Sequence, residues 1–319
     1  MNPLYLTEGD VVATLNVRDA VDLLEAAARA QALGQAENRP RQRAYTPSSV
    51  IQVLAASYAG RMGHKTYTVA FKGRGAKFWY TLFDDAGQML ALMEADALGQ
   101  IRTGAASALA TRHLARQDSN TLGIIGTGWQ ARTQLEACFH VRPISKVLVY
   151  GRDPQRRADF CEAMTERIHA KIEPVDSPHI AVSNADVVCT MTTSTTPVFK
   201  GEWLRPGTHV NAAGSNRANA QEVDVETIVR SSVIVVEDLA QAKMESGDLR
   251  LANEKGQWSW DKATRFADLV GGQAPGRTAD DQITLFESLG IGLWDLAVAS
   301  HVFDRCIIEG RGTRLPIPS

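Results

Sequence analysis

The chain lacks the features that mark several classes of protein. Its four cysteines, Cys138, Cys161, Cys189 and Cys306, are far apart and form no CxxC pair, so neither a disulfide framework nor a metal site is expected. The thiols are predicted to be reduced and buried. No apolar run reaches the roughly 20 residues that span a bilayer, and the first ten residues do not resemble a secretory signal. The formal net charge of −2 gives no reason to expect a nucleic-acid or membrane partner. We therefore expect a cytoplasmic protein.

The chain is long enough for two domains and has the composition of an ordinary globular protein. Its 319 residues, 44% hydrophobic and 22% charged, predict a packed protein of two domains. From Asn120 onward short apolar segments alternate with helical stretches. The predicted strands are 122–125, 147–150, 172–175, 185–191, 209–213 and 233–237. The predicted helices between them are 129–140, 154–168 and 222–229. This alternation predicts an α/β fold with a doubly wound parallel sheet.

The beginning and the end of the chain have a different pattern. A helix is predicted over 17–33, strands over 50–56, 66–71 and 78–83, and a hairpin that continues into 89–93. An alanine-rich helix follows over 102–115, and 284–309 is predicted as one long helix that packs back on the first domain. The predicted organisation is a discontinuous α+β substrate-binding and dimerisation domain, 1–118 with 292–319, and a dinucleotide-binding Rossmann domain, 119–291.

A glycine turn follows the first strand of the second part. The segment Gly126-Thr127-Gly128-Trp129-Gln130-Ala131 lies between strand 122–125 and a helix, as in a dinucleotide-binding turn. Gly126 permits the sharp turn, Gly128 lets the backbone approach a pyrophosphate, and Ala131 allows close packing of helix and strand. Backbone amides at the helix start then bind the phosphates. The alternative is a tight βα turn in another α/β protein.

The coenzyme is selected at the end of the second strand of such a domain. An NAD enzyme usually has an acidic residue there, whereas this strand ends in Gly151-Arg152-Asp153, with Arg156 close behind. A guanidinium suits the 2′-phosphate of NADP. We therefore predict NADP, and Asp153 keeps NAD as the alternative.

The chain resembles the ornithine cyclodeaminase/μ-crystallin family over nearly its whole length. Six blocks occur in the family's order, namely 82–84 with 90–93, 101–106, the glycine turn, 207–214, 245–249 and 284–290. The resemblance implies a homodimer in which a dimerising substrate domain, completed by the C-terminal helix, accompanies a Rossmann domain.

The resemblance also implies the substrate-binding residues. Arg41 and Arg102 are expected to bind the substrate carboxylate, Lys65 to stand near the reacting carbon, and Glu245 near the pocket. Arg43 is the alternative to Arg41. Two guanidiniums suit an imino or keto acid, and like charge with burial would lower the pKa of Lys65.

Further residues are expected at the coenzyme. The resemblance places Arg102, Thr103, Met191, Thr192 and Ser288 near the dinucleotide. Thr192 has the alternative of a strand residue satisfied by backbone, and Ser288 that of a helix residue bonded to its own carbonyls.

One departure from the family decides between reactions. Cyclodeaminases carry an Asp after the glycines that follow the fifth Rossmann strand, where this chain has Ala213-Gly214-Ser215-Asn216. The sequence therefore predicts NAD(P)H-dependent reduction of an α-imino acid at C2, the substrate being a cyclic ketimine or an acyclic imine. The alternatives are an ornithine cyclodeaminase, reductive amination like that of alanine dehydrogenase, and a non-catalytic protein in which NADPH gates a small-ligand pocket.

Overall fold

The chain forms two units in a computed structural model, which describes residues 2–72 and 75–316. Unit 1 contains the chain up to Arg102 and from Ile291 onward, and unit 2 is Thr103–Gly290. The division falls inside a helix, whereas the predicted boundary, 118/119, lies just after that helix. The substrate-binding and dimerisation roles given to the first domain stay predictions.

The elements are numbered along the chain. Those of the first third are β1 (Leu4–Leu6), α1 (Glu8–Thr14), α2 (Val17–Ala32), β2 (Ala36–Asn38), β3 (Gln42–Tyr45), β4 (Ser49–Tyr58), β5 (Arg61–Ala70), β6 (Ala76–Asp84), β7 (Met89–Glu94) and α3 (Asp96–Leu114). Those of the remainder are β8 (Thr121–Ile125), α4 (Trp129–Phe139), β9 (Lys146–Tyr150), α5 (Pro154–Ile168), β10 (Ile172–Pro174), α6 (Pro178–Ser183), β11 (Val187–Thr190), β12 (His209–Ala212), α7 (Val225–Arg230), β13 (Ser231–Val236), α8 (Leu239–Glu245), α9 (Gly247–Glu254), β14 (Ala263–Arg265), α10 (Phe266–Val270), β15 (Ile283–Glu287), α11 (Gly292–Glu309) and β16 (Thr313–Arg314).

Unit 1 is a sheet with helices on one face. Its strand order is β16-β1-β7-β6-β5-β4-β2, with β3 also paired to β4, and the predicted hairpin β6–β7 is present. Helix α11 packs on β4 and β5 and contacts α2. Side chains alternate across the strands, so one face holds the buried residues of the unit, including Leu54, Lys65 and Tyr80.

Unit 2 is the predicted doubly wound α/β fold. Its sheet has the order β10-β9-β8-β11-β12-β15-β13-β14, and every pairing in it is parallel. The chain leaves β8 toward β9 on one side and returns to place β11 on the other. A crevice opens at such a reversal, beyond the carboxyl ends of the strands, and this is where doubly wound folds bind dinucleotides.

The starts of two predicted helices, 284–309 and 102–115, differ from those in the structure. Residues 284–287 form strand β15, and α11 begins only at Gly292. The leucines at 285, 289 and 293 have helical spacing, but β15 is buried throughout and so shows no alternation. Gly290, with a φ of +74°, turns the chain between strand and helix. Helix α3 begins at Asp96, so Arg102 lies in its second turn and not at its start.

All four cysteines are free and buried, as predicted. Over residues 2–72 and 75–316 no helix combines the length and apolar character that crossing a membrane requires.

Candidate active site

The glycine turn joins β8 to α4 at the crevice of unit 2. Gly126 has a φ of +114°, and a Cβ there would lie 2.3 Å from the carbonyl oxygen of Met191, so only glycine fits. Gly128 is the N-cap residue of α4 and makes no side-chain cap bond. No protein atom in the described part of the chain lies within 4 Å of a Cβ built at Gly128. A pyrophosphate can therefore approach the first amides of α4, and these residues fit a dinucleotide.

A cleft of about 500 Å³ lies at this turn. Eight predicted coenzyme residues line it, namely Gly126, Thr127, Gly128, Gly151, Arg152, Arg156, Met191 and Thr192. Trp129 and Gln130 are the first two residues of α4, where they offer backbone amides, and the Trp129 side chain is exposed.

Four charged residues that follow β9 differ in their contacts. The carboxylate of Asp153 caps α5, since its Oδ1 accepts from the amides of Gln155, at 3.0 Å, and Arg156, at 3.1 Å. Arg157 donates to the carbonyl of Gly151 and to Asp176. Arg152, Asp153 and Arg156 all line the cleft, at the end of the strand where the coenzyme ribose would lie.

Glu222 organises the cleft and was missed by the sequence analysis, which placed it at the start of a helix. The helix begins at Val225, and Glu222 is buried before it. Its Oε1 accepts from the amide and hydroxyl of Thr192, both at 2.6 Å. Its Oε2 accepts from the hydroxyl of Thr190, at 2.9 Å, and the amide of Gly214, at 2.6 Å. One carboxylate thus joins the loops after β11 and β12. The Thr192 hydroxyl donates to it and also accepts from the backbone amide of Ser194, at 3.2 Å.

Unit 1 holds a buried group of charges. Lys65 on β5 donates to Asp295 on α11, with Nζ 2.8 Å from Oδ1. Arg102 on α3 donates to the same oxygen, with Nε at 2.9 Å. Arg41, between β2 and β3, is also buried. A Cβ built at Gly99 would lie 3.7 Å from Lys65 Nζ. Asp295 was not predicted from the sequence.

These charges set each other's ionisation. Burial lowers the pKa of Lys65 to about 8, the charges of Arg102 and Arg41 also lower it, and Asp295 opposes them. Burial raises the pKa of Asp295, but Arg102 and Lys65 outweigh burial and hold that pKa below its ordinary value. Near neutral pH, Lys65 is an ammonium that can give up its proton readily.

The other predicted residues lie as follows. Arg43 on β3 donates from Nε to Gln52 Oε1 at 3.0 Å. Thr103 is the first residue of unit 2, and its carbonyl accepts from Gln134. Glu245 ends α8, is buried, and accepts from Gln241 at 3.0 Å. Ser288 follows β15 rather than lying in a helix, and its hydroxyl is 3.4 Å from Glu237 Oε1.

The sheet order and the glycine turn of unit 2 define a dinucleotide-binding protein. Comparison with known proteins gives the particular family. The chain belongs to the ornithine cyclodeaminase/mu-crystallin family, whose sequence profile matches residues 1–309. The predicted resemblance is therefore confirmed.

Three of the relatives are named as reductases or dehydrogenases. A Delta(1)-pyrroline-2-carboxylate reductase of Bacillus cereus is 38% identical over 230 residues, covering 72% of this chain and 70% of the relative. The structure of the Thermococcus litoralis Delta(1)-pyrroline-2-carboxylate reductase with NADH and L-proline has 31% identity and a TM-score of 0.94, covering 98% of this chain and all of that one. An archaeal alanine dehydrogenase dimer with bound NAD has 31% identity, a TM-score of 0.93 and full coverage of both chains. These relatives confirm the predicted class, an NAD(P)-dependent oxidoreductase.

Proposed function

We propose that the protein reduces the carbon–nitrogen double bond of an α-imino acid, with NADPH supplying the hydride to C2. The observation that carries this proposal is the buried Lys65 ammonium, 2.8 Å from Asp295 and under the charges of two arginines. A dinucleotide cleft accounts for a coenzyme, and a buried lysine of lowered pKa can exchange a proton with the nitrogen of a carbon–nitrogen double bond. Relatives that reduce pyrroline-2-carboxylate support a cyclic ketimine as substrate.

Two arginines bind the carboxylate in this proposal. Arg102 is oriented by its Nε bond to Asp295, and a guanidinium held in this way still carries two amino groups that match a carboxylate. Arg41 is the second, because it is buried and its charge acts on Lys65. Together they would hold the imino acid in one orientation for reduction.

Lys65 acts as the proton donor. Its ammonium protonates the substrate nitrogen, and the resulting iminium carbon is the better acceptor of a hydride. The product is an amine, since C2 gains the hydride and the nitrogen keeps the proton. The protonated lysine is the active form, so turnover should fall as pH rises through about 8, the pKa of Lys65.

The proposed coenzyme is NADP(H). Asp153 lines the cleft together with Arg152 and Arg156, but one of its oxygens is occupied by two amides of α5. A 2′-phosphate would be bound through charge-assisted hydrogen bonds to those guanidiniums. The solved relatives contain NADH and NAD, so NADH is the coenzyme to compare.

A homodimer is the proposed assembly, formed through the outer face of the unit 1 sheet. Ile51, Met62, Trp79 and Phe83 lie on that face by strand register, and none of them is buried. A second copy would cover this apolar surface, and the archaeal alanine dehydrogenase is a dimer.

The proposed location is the cytoplasm, because its reducing conditions suit the four free thiols.

The direct experiment offers pyrroline-2-carboxylate and piperideine-2-carboxylate to the purified protein with NADPH, and follows coenzyme oxidation. We expect turnover, and a Lys65→Met variant should lose roughly 100- to 10,000-fold in kcat/KM while its NADPH affinity stays within about twofold. A Lys65→Met variant that turns over at the wild-type rate would exclude the mechanism.

The same experiment separates the alternatives. Reductive amination, favoured by the alanine dehydrogenase relative, would require an oxo acid and free ammonia. A cyclodeaminase would convert ornithine to proline without net coenzyme consumption, and Ser215 in place of an acid argues against this. A binding protein would quench NADPH fluorescence with no turnover.

A further inference from the structure

Asp295 connects two groups of the unit 1 site. It lies in the first turn of α11, is fully buried, and accepts from Lys65 Nζ and Arg102 Nε through the single oxygen Oδ1. The other oxygen, Oδ2, is also buried, and the described residues provide it with no hydrogen-bond partner. The carboxylate therefore joins a strand, a helix and the C-terminal helix at one point.

The shared oxygen keeps Lys65 Nζ and Arg102 Nε closer together than the two cations would stay without it. Both nitrogens lie within 3 Å of Oδ1, which holds two positive charges less than about 6 Å apart in a buried site where their repulsion is strong. Lysine has a flexible four-carbon stem. Without the carboxylate, the Lys65 ammonium would turn away from Arg102.

We propose that Asp295 is a positioning residue that holds the Lys65 ammonium beside Arg102, so that one substrate meets both the proton donor and the carboxylate clamp. The inference rests on the proposed function. Asp295 acts through Lys65 and itself exchanges no proton with the substrate.

The surroundings of Lys65 support this role. Its charged and titratable neighbours are Arg41, Tyr67, Tyr80, Asp96, Arg102 and Asp295. Among the groups that act on Lys65 itself, Arg102 and Arg41 lower its pKa and Asp295 raises it. Removing the Asp295 charge should therefore also make the lysine lose its proton at lower pH.

The test compares Asp295→Asn with wild type in the reduction of pyrroline-2-carboxylate by NADPH. We expect kcat to fall at least tenfold and the alkaline limb of the pH profile to shift to lower pH, by roughly one to three pH units. The affinity for NADPH should not change. Asp304→Asn is the matched control, because Asp304 lies on the same helix with its side chain 54% exposed, and it should behave as wild type. A folded Asp295→Asn variant with an unmoved alkaline limb would overturn the proposal.

Two further measurements keep the outcomes distinct. If Asp295→Asn does not fold, Asp295→Glu replaces it, because glutamate keeps the charge and displaces it by one methylene. For Asp295→Glu we expect the alkaline limb of the pH profile to stay in place and kcat to fall. An unchanged kcat would overturn the proposal. If wild type reduces none of the imines, the proposed function fails instead. The ionisation of Lys65 is then followed by NMR in lysine-labelled protein, where Asp295→Asn must still lower its midpoint.

Discussion

Replacing Glu222 by Gln tests how the coenzyme cleft is held. Each carboxylate oxygen accepts one backbone amide and one hydroxyl. A glutamine can turn its oxygen toward only one side, so its NH2 group must face the amide of either Thr192 or Gly214. The hydroxyls can rotate to accept from that group, but a backbone N–H cannot.

The expected magnitude follows from those contacts. One buried amide left without an acceptor costs about 1–3 kcal/mol, and the loss of charge weakens the bonds that remain by about 1 kcal/mol or more. We expect the free energy of unfolding to fall by about 2–4 kcal/mol. Since Thr192 lines the cleft, the Kd for NADPH should rise roughly 10- to 100-fold.

The assay is NADPH fluorescence titration, combined with urea unfolding followed by circular dichroism. Glu226→Gln is the matched control, because the Glu226 side chain is 54% exposed and lies 4.0 Å from its arginine partner, so it should change neither quantity. If Glu222→Gln binds NADPH within twofold of wild type and keeps its urea midpoint, the four hydrogen bonds do not organise the cleft.

Three further predictions concern the coenzyme, the dimer and pH. Arg152→Ala should lower the ratio of kcat/KM for NADPH to kcat/KM for NADH at least about tenfold, because a charge-assisted bond to phosphate is lost. An unchanged ratio would show that Arg152 does not bind the coenzyme. Trp79→Glu should convert the proposed dimer to a monomer in sedimentation, since it puts a charge on the outer sheet face; a dimer that stays intact would show that the interface lies elsewhere. Burial raises the pKa of Asp248 to about 7, so the folded state binds this proton more tightly than the unfolded one. The free energy of unfolding should therefore fall as pH rises from about 4 to about 7, and Asp248→Asn, which keeps the Oδ1 acceptor of two amides, should flatten that slope.

The sequence predicted the Rossmann unit in detail because its signals are local. Strand β8, the glycine turn and α4 are consecutive, and at Gly126 a Cβ would meet the carbonyl oxygen of Met191. The error over 284–287 has the same origin, because a strand buried on both faces and a helix share a continuous apolar run.

The two carboxylates that organise the sites, Asp295 and Glu222, could not be predicted from local sequence signals. Lys65 and Asp295 are 230 positions apart, and Thr192 and Glu222 are 30 apart. No spacing rule joins residues so distant, and one aspartate in an apolar helix resembles an ordinary charged residue. Lys65 and Arg102 were identified through the family resemblance alone, so their partner could be found only in three dimensions.

The discontinuity of unit 1 has a consequence for biosynthesis. The strands β4 and β5 leave the ribosome more than 200 residues before α11, the helix that packs on them. Until translation reaches that helix, an apolar sheet surface stays open to water and the Lys65 ammonium lacks its counter-ion. The nascent chain would therefore complete unit 2 first, and Lys65 would gain its counter-ion only after α11 has been made.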